Sequence, residues 1–252
     1  MKRLGLLGLL ALVAGACTTP AGDSPAPYDA SVLGPGMRLR DVQDSANGLA
    51  GQVVDVTSTV VTAIDNFDET KDGKSRGTVY LQDVDIAGPL AGISLFSPTF
   101  VPANLRLAPG DVVDMNGQYV EQQTIGSTVN FAPDFLPQMA KPTVQQRFET
   151  NLPDPVVINV ADLDNFATGR RWLGMLVQVQ DVTVAHGPSA DTAGRVTAQF
   201  NSFVNGAGIS NELYDLPAGS FPDNTHFKSI TGLVTFFFNL KIAPRSAADL
   251  VQ

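Results

Sequence analysis

Cysteine occurs once in this 252-residue chain, at Cys17, and histidine twice, at His186 and His226. A single cysteine excludes an intramolecular disulfide framework. The two histidines have neither HxxxH nor HxH spacing, so they offer no histidine-based metal site. Basic residues are also scarce, with 16 Lys+Arg against 25 Asp+Glu and a net charge of −9. A nucleic-acid binder ordinarily carries a basic face, because phosphate neutralisation supplies much of the affinity. No GxSxG nucleophile elbow and no GxxxxGK[ST] phosphate loop is present. Acidic residues are scattered along the chain rather than gathered in a catalytic constellation. These absences argue against an enzyme, and the expectation is a chain without catalytic activity or cofactor.

What is present begins at the N-terminus. Lys2 and Arg3 precede "LGLLGLLALVAGA", an uncharged run of 13 residues from Leu4 to Ala16. A bilayer-spanning helix needs about 20, so the run fits the apolar region of a secretory signal. The residues Ala14-Gly15-Ala16-Cys17 resemble the bacterial lipobox, in which small residues precede a cysteine that is lipidated. Ala14 stands where that family prefers leucine. The resemblance implies a signal peptide over 1–16, a membrane anchor on Cys17, and a secreted protein held at the bacterial cell envelope. Thr18, rather than an aspartate, implies the outer membrane where the host has one. Loss of Lys2 and Arg3 with the leader takes the net charge from −9 to −11. The following stretch, "TTPAGDSPAPYDASVLGPG", is rich in Pro, Ser, Gly and Ala without a hydrophobic period. Residues 17–47 therefore read as the lipidated cysteine and a flexible tether.

Beyond it the chain repeats. "GQVVDVTSTVV" from Gly51 answers "GMLVQVQDVTV" from Gly174, and "TVYLQD" from Thr78 answers "RVTAQF" from Arg195. "LAPGD" answers "LPAGS", "MNGQYV" answers "ITGLVT", and "NFAPD" answers "KIAPR". All five pairs keep the same order, which predicts two copies of one module. The runs are short, rich in Val, Ile, Thr and Phe, and bounded by Gly, Pro, Asn and Asp, so the modules are all-β. Val160, Leu163 and Phe166 are spaced for one short helix. We place module 1 at 48–140, a linker at 141–155, and module 2 at 156–252. Three prolines in "KPTVQQRFETNLPDP" predict a stiff spacer between them.

"VVTAIDNFDETKDGKSRGTVYLQDVD", "LAPGDVVDMNG" and "SITGLVTFFFNLKIAPRSAADL" resemble the OB-fold modules of secreted bacterial proteins, which accompany extracellular nucleases and occur in other lipoproteins. The resemblance implies two tandem OB-fold-like five-stranded Greek-key barrels with short helical turns. Many OB barrels bind oligonucleotides or oligosaccharides on an exposed face, although a fold by itself does not give a function.

Two places carry candidate ligand chemistry. In the loop 65–77, Asn66, Asp68 and Asp72 sit at alternate positions before Gly73, a weak calcium pattern. Thr70 interrupts it, and Lys71, Lys74 and Arg76 repel a cation. Near the C-terminus, "TFFFNLK" places Val234, Phe236, Phe238, Leu240 and Ile242 on one face if it is extended. A hairpin turning near Phe238-Asn239 is expected, with Phe237 as the outward phenylalanine beside Lys241 and Lys228. "PRSAADL" has the S-x-x-D spacing of a capping box, and Arg245 and Asp249 are placed to pair. Module 1 has 4 basic residues against 11 acidic ones over 50–140, whereas 141–252 has 8 against 10. Any anion face should therefore lie in module 2, on Phe237, Lys241, Lys228, Arg245, Arg170 and Arg171. The resulting expectation is a non-catalytic envelope lipoprotein that binds or scaffolds protein or glycan. The alternative is an extracellular nucleic-acid binder, accessory to a nuclease, working through module 2. A divergent hydrolase is a third, weaker reading.

Overall fold

The computed structural model describes residues 36–75, 77–85, 87–95, 106–123, 135–200, 208–237 and 239–252. Cys17 and the signal peptide expected over 1–16 lie outside these residues. All of the described residues fall within one compact unit.

Module 1 is built from β1 (Val53–Ile64), β2 (Val79–Asp83), β3 (Gly92–Leu95), β4 (Asp111–Gln123) and β5 (Phe135–Glu149). They close as a barrel in the order β1-β2-β3-β5-β4, with β4 returning to β1. β-Branched side chains favour such a pleated surface. Val54, Val56, Val61, Leu81, Ile93 and Val113 point inward and are buried.

After β6 (Val156–Val157), module 2 uses β7 (Leu176–Ala190), β8 (Val196–Phe200), β9 (Gly208–Ser210), β10 (Thr225–Phe237) and β11 (Asn239–Ala243), with β12 (Leu250–Val251) at the C-terminus. The ring runs β7-β8-β9-β11-β10 and closes through the β10–β7 pairing. Both rings have the same order, so the tandem OB-like barrels expected from the repeats are the observed fold. The backbone repeats in detail as well. Left-handed residues recur at Gly51 and Gly174 (φ 82° and 75°), at Gly110 and Gly219 (101° and 72°), and at Ser58 and Asp181 (57° and 55°).

The repeating unit begins earlier than position 48. Met37 donates its amide to Asp55 O at 2.8 Å, as Ile158 does to Gln178 O at 2.9 Å, and Asp55 and Gln178 are equivalent in the repeat. Each arm then enters a short helical plug. In module 1 it is α1 (Leu39–Gln43), whose Leu39 and Val42 are buried in the barrel core. The tether assigned to 17–47 is corrected accordingly, because residues 37–43 belong to the barrel. Two apolar residues one turn apart are too short a pattern to read as an element. In module 2 the expected single helix is broken. A 3₁₀ turn (Val160–Leu163) is followed by α2 (Phe166–Gly169), because extended Asn165 interrupts the helix and accepts Thr168 N–H as a new cap. Leu163 and Phe166 still enter the core.

The linker expected at 141–155 is corrected too. Residues 141–149 are the second half of β5, paired with β4 up to Asp111↔Glu149. Pro142 lacks an amide donor, and the ladder accommodates it by a register shift opposite Gly117, beside left-handed Lys141. Nor are the modules held apart. Ala63 and Tyr80 of module 1 pack with Leu176 and Leu233 of module 2, and all four are buried. Gln82 Oε1 accepts Leu176 N–H at 3.0 Å, and Leu90 N–H reaches Arg171 O at 2.7 Å. A Cβ on Gly92 would lie 2.5 Å from Met175 Cγ and 2.6 Å from the carbonyl carbon of Gly174, so only glycine allows this approach.

Each module also extends an arm over the other. The β4–β5 ribbon brings Glu121 to Arg170, with Tyr119 Oη donating to the same carboxylate at 2.9 Å. From the other side, the β7–β8 hairpin brings Arg195 to Glu69 at 3.1 Å.

Candidate functional site

In OB barrels the face of the second and third strands is a common ligand surface. In module 1 that face is consumed by the seam. Tyr80 and Gln82, two residues apart on β2, point at module 2, where the Tyr80 hydroxyl donates to Glu212 at 2.5 Å. At the equivalent positions of module 2, Thr197 is half-buried and Gln199 is exposed, with neither a cation nor an aromatic ring among them. These two positions therefore offer a single strand neither stacking nor charge.

The five cations expected on an anion face each have neighbours of their own. The hairpin does turn where expected, with Phe237 paired to Asn239 across Phe238. The side chain of Phe237 and all of Phe238 lie outside the described residues. Phe236 packs edge-on to Phe166, ring centroids 5.3 Å apart, and belongs to the core. Lys241 was expected outward and accessible; it is instead 9 % exposed, opposite buried Thr235. Its side of the strand is covered, which strand alternation cannot foresee. Lys228 donates to the Gln252 carbonyl at 2.8 Å. Arg170 is paired with Glu121 in the seam. Arg171 donates to Thr168 O at 2.9 Å and lies over the Trp172 ring. Arg245 is held by both oxygens of Asp249, at 3.0 and 2.8 Å.

The calcium pattern also resolves into local turn chemistry. Asp68 accepts the amides of Asp72 and Gly73 at 3.1 and 2.7 Å, and Asp72 accepts Lys74 N–H at 3.0 Å. These carboxylates hold the turn's own backbone, while Asn66 faces a groove. Among the described residues no group of three or more His, Cys, Asp or Glu is placed to hold a metal. His226 contacts Asp181 at 2.8 Å and His186 lies 3.8 Å from Asp223, both at the surface.

One concave site lies on the seam, an open groove of about 570 Å³. Module 1 supplies Thr62, Ala63 and Ile64 from the end of β1, Asn66 from the following loop, and Leu107, Ala108 and Pro109 before β4. Leu152 comes from the connection, and Leu213, Arg245 and Ser246 come from module 2. Its size and its apolar lining with a few polar groups suit a ligand site. The "LAPG" turn and "PRSA" are repeat landmarks in the sequence. That they meet across the seam is decided only by how the barrels pack, and no spacing along the chain carries that information.

Two ionisable groups are perturbed elsewhere. Asp83 is fully buried at the end of β2 and accepts the amides of Leu39 and Arg40 at 3.0 and 3.2 Å, holding the start of the α1 plug. Burial pushes its carboxyl up to about 7, against the opposing pull of those amides and of Arg38. The Tyr119 phenol is pushed up by burial and by the Glu121 carboxylate.

The chain matches no family model, and no curated protein matches it.

Proposed function

We propose that the chain is a non-catalytic lipoprotein of the bacterial cell envelope, anchored through Cys17, whose paired barrels present a binding surface for protein or glycan. The observation that carries this reading is the seam groove, an apolar trough with Asn66, Arg245 and Ser246 at its polar positions. The two modules act as one body, since the strand face of the first is committed to the second. The engagement of Lys228, Arg170 and Arg171 by neighbouring groups favours this reading over nucleic-acid binding.

The test is a titration of the full chain in non-ionic micelles with a pool of apolar peptides, with envelope oligosaccharides and with labelled single-stranded DNA at low salt. Saturable binding of peptide or glycan is expected, and Ala108→Arg should abolish it by blocking the exposed groove wall. Saturable DNA binding that weakens with salt would overturn the proposal in favour of the nucleic-acid reading.

A further inference from the structure

The groove lining includes polar groups. Of its lining side chains, Arg245 alone carries a formal charge. Asp249 takes Nε and Nη2 of the guanidinium and also accepts the Arg245 amide at 2.8 Å, so the fork is fixed from one side. Nη1 has no hydrogen-bond partner among the described residues. Beside it, Ser246 occupies the N-cap position of the turn Ala247–Asp249, yet its hydroxyl makes no cap bond. Neither bond of the capping box expected here is made. Asp249 closes on Arg245, and the exposed serine hydroxyl is left for another partner. An arginine oriented by a carboxylate on one side and open on the other is a directed donor for a second carboxylate.

We propose that this groove binds the C-terminal end of an apolar peptide, with the terminal carboxylate on Arg245 Nη1 and the Ser246 hydroxyl and the last side chains along Leu107, Leu152 and Leu213. The inference rests on the reading above that the groove is the ligand site. A peptide fits better than a fatty acid for two reasons. The groove is open to solvent, and exposed Asn66 in its lining offers a donor and an acceptor to a peptide group that an acyl chain would leave unused. Because Asp249 neutralises Arg245, recognition depends on aimed N–H groups beside apolar walls, not on net attraction. C-terminal carboxylate capture is a known mode of peptide recognition.

The experiment uses labelled octapeptides whose last four positions are drawn from Ala, Val, Leu and Ile. They are made as free acids and as C-terminal amides, and titrated by fluorescence anisotropy against the full chain in non-ionic micelles. The acids should bind at least ~10-fold more tightly than the amides, because an amide end cannot accept a charge-assisted pair. Arg245→Gln should collapse that difference, and Arg245→Lys should restore part of it. Equal binding of acids and amides, both lost in Ala108→Arg, would overturn the carboxylate inference and leave the groove reading standing. Binding of neither pool would remove both for peptides. Displacement by dodecanoate without any acid–amide difference would point to a lipid carboxylate instead and overturn the peptide. The comparison on the unaltered chain decides the matter even where Arg245→Gln disturbs the turn.

Discussion

The phenol of Tyr80 donates a 2.5 Å hydrogen bond to the Glu212 carboxylate, joining residues 132 positions apart across the seam between the barrels. Both are at least nine-tenths buried. Tyr80→Phe keeps the ring and removes the donor, which should cost about 1.5–3 kcal/mol, the range for hydrogen bonds to charged groups. Urea denaturation measures it. Glu212→Gln should cost less, since its amide oxygen still accepts. No measurable loss in Tyr80→Phe would mean that the carboxylate finds water.

The contact of Gly92 with Gly174 and Met175 predicts that the barrels unfold together. Trp172, the only tryptophan, packs against a core made mostly of module 2 residues, so its fluorescence follows that barrel most directly. Gly92→Ala lies in module 1 and overpacks the seam, at a cost of roughly 1–3 kcal/mol. It should lower the Trp172 melting temperature by about 2–4 °C for each kcal/mol lost. An unchanged Trp172 transition alongside a lowered far-ultraviolet circular dichroism transition would show independent barrels.

Asp83 sets a pH dependence of definite sign. Its folded pKa lies near 7, against 3.8 for an ordinary aspartate, so between these values the folded state holds the proton and the unfolded state does not. The contribution of Asp83 to stability is therefore fully present below about pH 4 and is lost as pH rises through about 7. Asp83→Asn should remove this term, so the wild-type curve should fall relative to the variant between pH 4 and 7. Urea midpoints of the two proteins across that range test it. Parallel curves would mean that the Leu39 and Arg40 amides hold the carboxylate ionised despite burial.

Calcium at millimolar concentration, or its removal by a chelator, should leave the melting temperature unchanged. The oxygens of Asp68 and Asp72 already accept amides of their own turn. A rise with calcium would show that the loop rearranges to bind it.

The proposed lipidation at Cys17 predicts incorporation of a labelled fatty acid and fractionation with membranes. Cys17→Ser should abolish the labelling and leave the precursor unprocessed. Labelling that persists would relocate the anchor.

The repeats made both barrels legible because each landmark answers a local demand. Gly110 and Gly219 turn with positive φ, and the strands between them alternate β-branched and polar residues. The hairpin across Phe238 and the Arg245–Asp249 pair were legible for the same reason: their partners lie within a few residues. The plug helix α1 was not legible, since Leu39 and Val42 signal nothing until a barrel end is there to receive them. Pro142 misled because a proline that usually marks a linker here sits at an irregularity of a 15-residue strand.

The candidate site divides in the same way. Of the five residues chosen for charge and aromaticity whose side chains are described, only Arg245 lines the groove. Lys241 fell inside the structure although its strand position pointed outward.

The chain by itself thus determined the all-β class, the duplication and the closing hairpin, all of which follow from alternation and turn chemistry over a few residues. Only the tertiary structure decided that the two barrels form one body, that Tyr80 and Gln82 serve the seam, and that Leu107, Leu152, Leu213 and Arg245 share a groove. Packing of one curved surface on another joins residues more than a hundred positions apart, and local sequence carries no record of which surfaces will meet.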